Sequence, residues 1–221
     1  MSELTPDEIT PRAIETPRAA GVAGVLFALL FAFTVILLRR VVPSDPHAAG
    51  AWLTNASSRH EIVFALSLVP FCGILFLWFM GAVRARVGDA EDKFLATVFM
   101  GSGLLFVAMI FVFSAMFAAL IGVVGLHHGT PPLDIWQLGR ETTFNLAAVY
   151  AVKMGAVFMM ASSTIALRLR IFNRAVVILG YACALALLFA SSAVPWMQLV
   201  FPLWVLLVSV NILIVSYHRN A

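Results

Sequence analysis

Long apolar blocks bare of charge, separated by short polar segments, set the pattern of this chain. Ala19 to Leu38 contains no charged residue. Coiled as a helix it measures about 30 Å, the thickness of a bilayer's hydrocarbon core. Ile62 to Val83 forms a second such block, with Pro70 near its middle. Proline removes one backbone hydrogen bond, so a kink is expected there. Phe94 to Leu126 is too short for two spans and a turn, and predicts one long or strongly tilted helix. Thr142 to Leu167 is the fourth block, and Ala175 to Tyr217 is uncharged throughout. The length of this last block demands a hairpin, turning at Val194-Pro195-Trp196-Met197-Gln198. The predicted fold is all-α, a bundle of six transmembrane helices with spans at about 19–38, 62–83, 94–126, 142–167, 175–194 and 199–217. Residues 1–17 are polar, acidic and proline-rich, and read as a disordered cytoplasmic tail ahead of a membrane domain at 18–221. The first span is expected to be retained, because its leader is acidic and Arg39-Arg40 follow the apolar run instead of preceding it.

Composition agrees with the pattern. Hydrophobic residues make up 62% of the chain and charged residues 11%, with a mean hydropathy of +0.99. A water-soluble domain of this size has no interior large enough for that much apolar surface. The net charge of +3 does not point to nucleic acid. The basic residues cluster at the ends of apolar blocks, where membrane proteins use them to set orientation. With the N-terminus inside, the inner side holds Arg12, Arg18, Arg84, Arg86, Lys93, Arg168, Arg170, Arg174 and Arg219. The outer side holds only Arg39, Arg40, Arg59 and Arg140. Both termini are therefore expected in the cytoplasm, although Arg39 and Arg40 run against the rule locally.

Candidate chemistry is sparse. Lys153 is the one charge inside a span, about 13–16 Å from its outer end, and an intramembrane charge is a functional-site candidate by default. Helical spacing places Tyr150 and Thr164 on its face, and the nearest acids by depth are Glu61 and Glu141. Lys153, Tyr150, Thr164 and Glu61 are thus the candidate ligand-binding residues. The alternative is that the amine snorkels to the interface on its four-carbon stem. His60, His127 and His128 are weak metal candidates, since adjacent residues on a helix point about 100° apart and cannot share one ion. Cys72 and Cys183 lack a C-x-x-C neighbour and read as buried small hydrophobes. No serine in a span has an acid or histidine beside it, so catalysis is not expected, and nothing in the chain implies a cofactor. The segment His127 to Arg140 reads as an outer loop stiffened by Pro131-Pro132, with Ile135, Trp136 and Leu138 as an interfacial turn. Small residues recur every fourth position at Ser114, Ala118 and Gly122 and at Ala182, Ala186 and Ala190, faces that suit helix packing or a protein partner.

The Arg18-Ala19-Ala20-Gly21 entry into a first span, and six spans in a chain of this length with small loops, resemble uncharacterised bacterial integral membrane families of unknown function. The resemblance transfers no catalytic residue, and the Ala- and Val-rich composition, similar to that of high-GC bacteria, suggests an inner (plasma) membrane protein. The leading expectation is a non-enzymatic bundle whose partners are the bilayer and either a lipid or another protein, including a second copy through the small-residue faces. The alternatives are a small-molecule or ion transporter built around Lys153, and an accessory subunit of a larger membrane complex.

Overall fold

The described residues of each apolar block are helical, apart from a turn at Trp196. The computed structural model describes residues 16–43, 55–87, 92–126, 133–169, 173–190 and 196–218. Among them no strand occurs. The elements are α1 (Thr16–Val41), α2 (Ala56–Val87), α3 (Lys93–Leu126), α4 (Leu133–Asn145), a π-helical turn (Leu146–Ala151), α5 (Val152–Arg168), α6 (Arg174–Ala190), a short 3-10 turn (Met197–Leu199) and α7 (Val200–His218). Three helices start on a side-chain cap. Asn55 Oδ1 accepts from the Ser57 N–H, Asp92 Oδ1 from Phe94, and Asn173 Oδ1 from Ala175. Each satisfies an N–H that the first helical turn leaves unpaired.

Among the described residues, five helical segments are long and apolar enough to cross a membrane, which makes this a multi-pass membrane protein. They are Ala19–Val41, Ala56–Ala85, Lys93–Val123, Asp134–Arg168 and Met197–Tyr217, while Arg174–Ala190 is apolar but shorter. Helix α1 packs mainly against α2 and α7, α2 against α3, α3 against α5, and α5 against α6. The outer surface is apolar: Trp78, Phe71, Leu203, Ile178 and Phe189 are all more than half exposed. In water such a surface would drive aggregation, and in a bilayer it meets lipid.

Lipid offers no hydrophobic drive between helices, so close packing must hold the bundle. The centre is a cluster of phenylalanines drawn from five helices. Phe76 of α2 lies 5.0 Å from both Phe27 of α1 and Phe158 of α5, and 5.2 Å from Phe106 of α3, centroid to centroid. Phe201 of α7 lies 4.7 Å from Phe106. Tilted and edge-on pairs of this kind contribute about 0.5–1.5 kcal/mol each beyond area burial. The tightest small-residue seam is on α1, where Ala20, Gly24 and Ala28 are all buried. A Cβ at Gly24 would strike the Ser209 hydroxyl and the Phe79 ring. Of the two predicted stripes, Ser114 is buried, but Gly122 and Ala182 are exposed, so neither stripe is a continuous seam within one chain.

Two expectations about the outer end are corrected. The part of His127 to Arg140 that is described is not a loop: helix begins at Leu133 and runs through the π-helical turn to Arg168. Pro131-Pro132 precede the helix and Asp134 sits in its first turn, the placement that favours a helix start. Trp136 does not lie on the surface. It is 1% exposed and packs with Ile62, Leu66, Phe117 and Ile121 in a second core, while Ile135 and Leu138 do face outward. The predicted tail also ends earlier than expected, because α1 starts at Thr16. Residues 1–15 and 191–195, which include the rest of the tail and part of the hairpin turn, lie outside the described residues.

Candidate functional site

The segment after α4 is rich in small side chains, and that composition opens a space in the bundle. Leu146–Ala151 winds as a π-helix, a form that is rare and concentrated at functional sites. Ala147, Ala148 and Ala151 present little bulk toward α1 and α3. A cavity of about 410 Å³ results, within the range of small-molecule sites. Its apolar walls include Val35 and Leu38 of α1, Ile110, Phe113 and Phe117 of α3, and Phe144. Phe31, Phe106 and Phe201 line its inner end and belong to the central phenylalanine cluster. Their packed rings form the wall on that side.

The opposite end is polar and cationic. Arg39, Arg140 and Asn145 line it, Gln198 joins the lining from one turn away from Phe201, and among the described residues the lining holds no carboxylate. Arg140 comes from α4 and is only 7% exposed. Its guanidinium donates to the Pro43 carbonyl at 3.1 Å, where α1 has just ended, and lies 5.2 Å over the Phe144 ring. The carboxylate of Glu141 stands 3.7 Å away but is 61% exposed, on the outer side of the pair. Arg39 is half-buried and donates to Gln198 Oε1 at 3.2 Å, a neutral acceptor. Phe201 meets Phe27, and Arg39 lies twelve residues beyond Phe27, about 18 Å along α1. Gln198 is only three residues from Phe201, so Arg39 folds back into the bundle to reach it. Arg140 is held out of water with only the exposed Glu141 as a charged neighbour, and Arg39 is half-buried against a neutral amide, so an anion at the cavity would offset part of the cost of burying them.

The residues singled out in the sequence are not gathered at this cavity. Lys153 is exposed on the outside of α5, and Tyr150, 59% exposed, stands outside too. Thr164 is turned toward α6: it donates to the Met160 carbonyl at 2.8 Å, so the Tyr181 hydroxyl donates to it at 2.7 Å. Glu61 is exposed near the start of α2. None of the four lines the cavity. Among the described residues no three His, Cys, Asp or Glu side chains gather as metal ligands. His60 is exposed, and His127 and His128 lie outside the described residues. Sequence reasoning missed Arg39 and Arg140, which entered only as orientation charges. Their signal was there: both are arginines in segments expected from the sequence to lie on the outer side, which membrane proteins keep poor in basic residues.

Comparison with protein families, curated proteins and solved structures returned no match to this chain.

Proposed function

We propose that this protein is a membrane-embedded, non-enzymatic binder of a lipid-like molecule, whose apolar chain enters the cavity between α1, α3 and the π-helical turn. The observation that carries this reading is the cavity itself, with apolar aromatic walls and with Arg39, Arg140, Asn145 and Gln198 as its polar lining. A membrane amphiphile has the matching shape, one greasy end and one wet end. The packed phenylalanines beneath the cavity favour binding over conduction, because they leave no polar route onward. The proposal extends to topology. Arg174–Ala190 serves as a sixth span, both termini lie on the cytoplasmic side of the bacterial inner membrane, and the cavity mouth faces outward. The excess of basic residues at the opposite end supports that orientation.

Native mass spectrometry of the full chain in a nonionic detergent tests the reading, with single-chain C14 amphiphiles as probes. The wild type is expected to bind one chain per protein. Ala148→Phe, which places a ring in the cavity, is expected to lower that affinity at least tenfold while leaving thermal stability within a few degrees. Undiminished binding by the variant, or no binding by the wild type, contradicts the reading.

A further inference from the structure

The cavity mouth specifies the head of its occupant, and this inference rests on the lipid-binding reading above. We infer that the occupant carries a phosphate monoester, held between Arg39 and Arg140. Charge is the first argument. Two guanidinium groups line one mouth and no carboxylate among the described residues lines it with them. A phosphate monoester carries about −1.5 to −2 at neutral pH, enough to balance both, and it presents three strong acceptor oxygens. A carboxylate carries one charge and only two acceptor oxygens, fewer than the donors that the two arginines leave open, and Arg140 already has Glu141 at 3.7 Å. A zwitterionic head adds a cation where two already stand.

Donor geometry is the second argument. Each guanidinium has five N–H donors, and the hydrogen bonds to Gln198 and to Pro43 occupy one on each side. The planar fork matches phosphate oxygens two at a time. Asn145 and Gln198 line the same mouth and supply amide N–H groups for further oxygens. Arg140 is also pre-set. Its carbonyl bond to Pro43 and its seat over Phe144 hold the planar group before any ligand arrives. Arg39 is the adjustable partner, because its bond to Gln198 is to a neutral group that a phosphate oxygen can replace. The walls then take a single aliphatic or isoprenoid chain, since one cavity bounded by Phe31, Phe106 and Phe144 leads away from one head site.

The experiment compares tetradecyl phosphate, tetradecanoate, tetradecanol and inorganic phosphate against the full chain in nonionic detergent, by native mass spectrometry and titration calorimetry. Tetradecyl phosphate is expected to bind at least tenfold more tightly than tetradecanol or tetradecanoate, and inorganic phosphate not measurably. Arg39→Gln is expected to bring the affinity for tetradecyl phosphate down to that for tetradecanol in the same variant, which removes the preference. Arg39→Lys, which keeps charge but loses the fork, is expected to retain part of it. Arg140→Gln gives the same loss wherever its melting curve matches the wild type. Equal affinity for phosphate and alcohol, or for phosphate and carboxylate, overturns the phosphate head and leaves the lipid-binding reading standing. A preference that survives Arg39→Gln overturns the role of Arg39. Tight binding of inorganic phosphate alone overturns the link between head and chain. Failure of all the chain-bearing probes overturns the lipid-binding reading itself.

Discussion

At the scale of single residues, Pro70 shows how a local defect is repaired from a neighbouring helix. Proline has no N–H, so the carbonyl of Leu66, four residues earlier, loses its intrahelical donor. Ser114 of α3 donates its hydroxyl to that carbonyl at 3.0 Å. In lipid a carbonyl without a donor is costly, and neighbouring hydroxyls restore such bonds. Ser114→Ala is therefore expected to lower stability by about 1 kcal/mol. In a Pro70→Ala background, where the substituted residue supplies a backbone N–H, the same change is expected to cost much less. A double-mutant cycle on unfolding in detergent measures the difference, and simple additivity contradicts the pairing. Gly24→Ala forces a methyl against Ser209 and Phe79 and is expected to destabilise by about 1–3 kcal/mol in the same assay. Lys153 lies on the exterior of α5, outside the cavity lining. Lys153→Met is expected to leave amphiphile binding within twofold of the wild type, and a tenfold loss would place Lys153 at the site after all.

At the scale of elements, the long apolar blocks were legible because charge-free length alone decides whether a helix can cross lipid. Helix α3 illustrates this: the chain from Phe94 to Leu126 is one helix from Lys93 to Leu126. Helix α4 was not legible. Asp134, Gln137, Arg140 and Glu141 gave it a loop-like composition, and Pro131-Pro132 was read as stiffening a loop when it stands just before a helix start. Trp136 was misplaced for the same reason, since its burial depends on Ile62 and Phe117 from distant helices. The π-helical turn left no mark in the spacing of apolar residues, because nearly all of Leu146–Ala151 is apolar on every face. The cavity was equally hidden: it exists only where α1, α3, α4 and the start of α7 meet. A π-helix accommodates one extra residue in its widened turn, so deleting Ala147 is expected to restore an α-helical turn while α4 and α5 keep their relative register. The deletion closes the widened turn and removes one of the small side chains that line the cavity. Circular dichroism is expected to show unchanged helix content alongside lost amphiphile binding; retained binding would mean that the π-helical turn does not shape the site.

At the scale of the whole molecule, the two ends of the bundle differ in kind. One end is tied by an ordinary exposed ion pair, Arg168 to Asp92 at 3.2 Å, which joins the end of α5 to the start of α3. Such a pair contributes at most about 1 kcal/mol. The other end carries the buried Arg140, the inward-folded Arg39 and the cavity between them. In the proposed orientation this second end faces outward, where basic residues are disfavoured. Cysteine placed at Ser57 is expected to label with an impermeant reagent in intact cells, and labelling only after permeabilisation would invert the topology. The central claim is that the cavity is built around a lipid chain with its anionic head at the two arginines. An experimental density map of the full chain in lipid nanodiscs, saturated with tetradecyl phosphate, tests it most directly. The account predicts a continuous elongated density from between Arg39 and Arg140 down to Phe31 and Phe106. A cavity closed by its own side chains, or holding only water while the amphiphile is ordered elsewhere on the bundle, would contradict it.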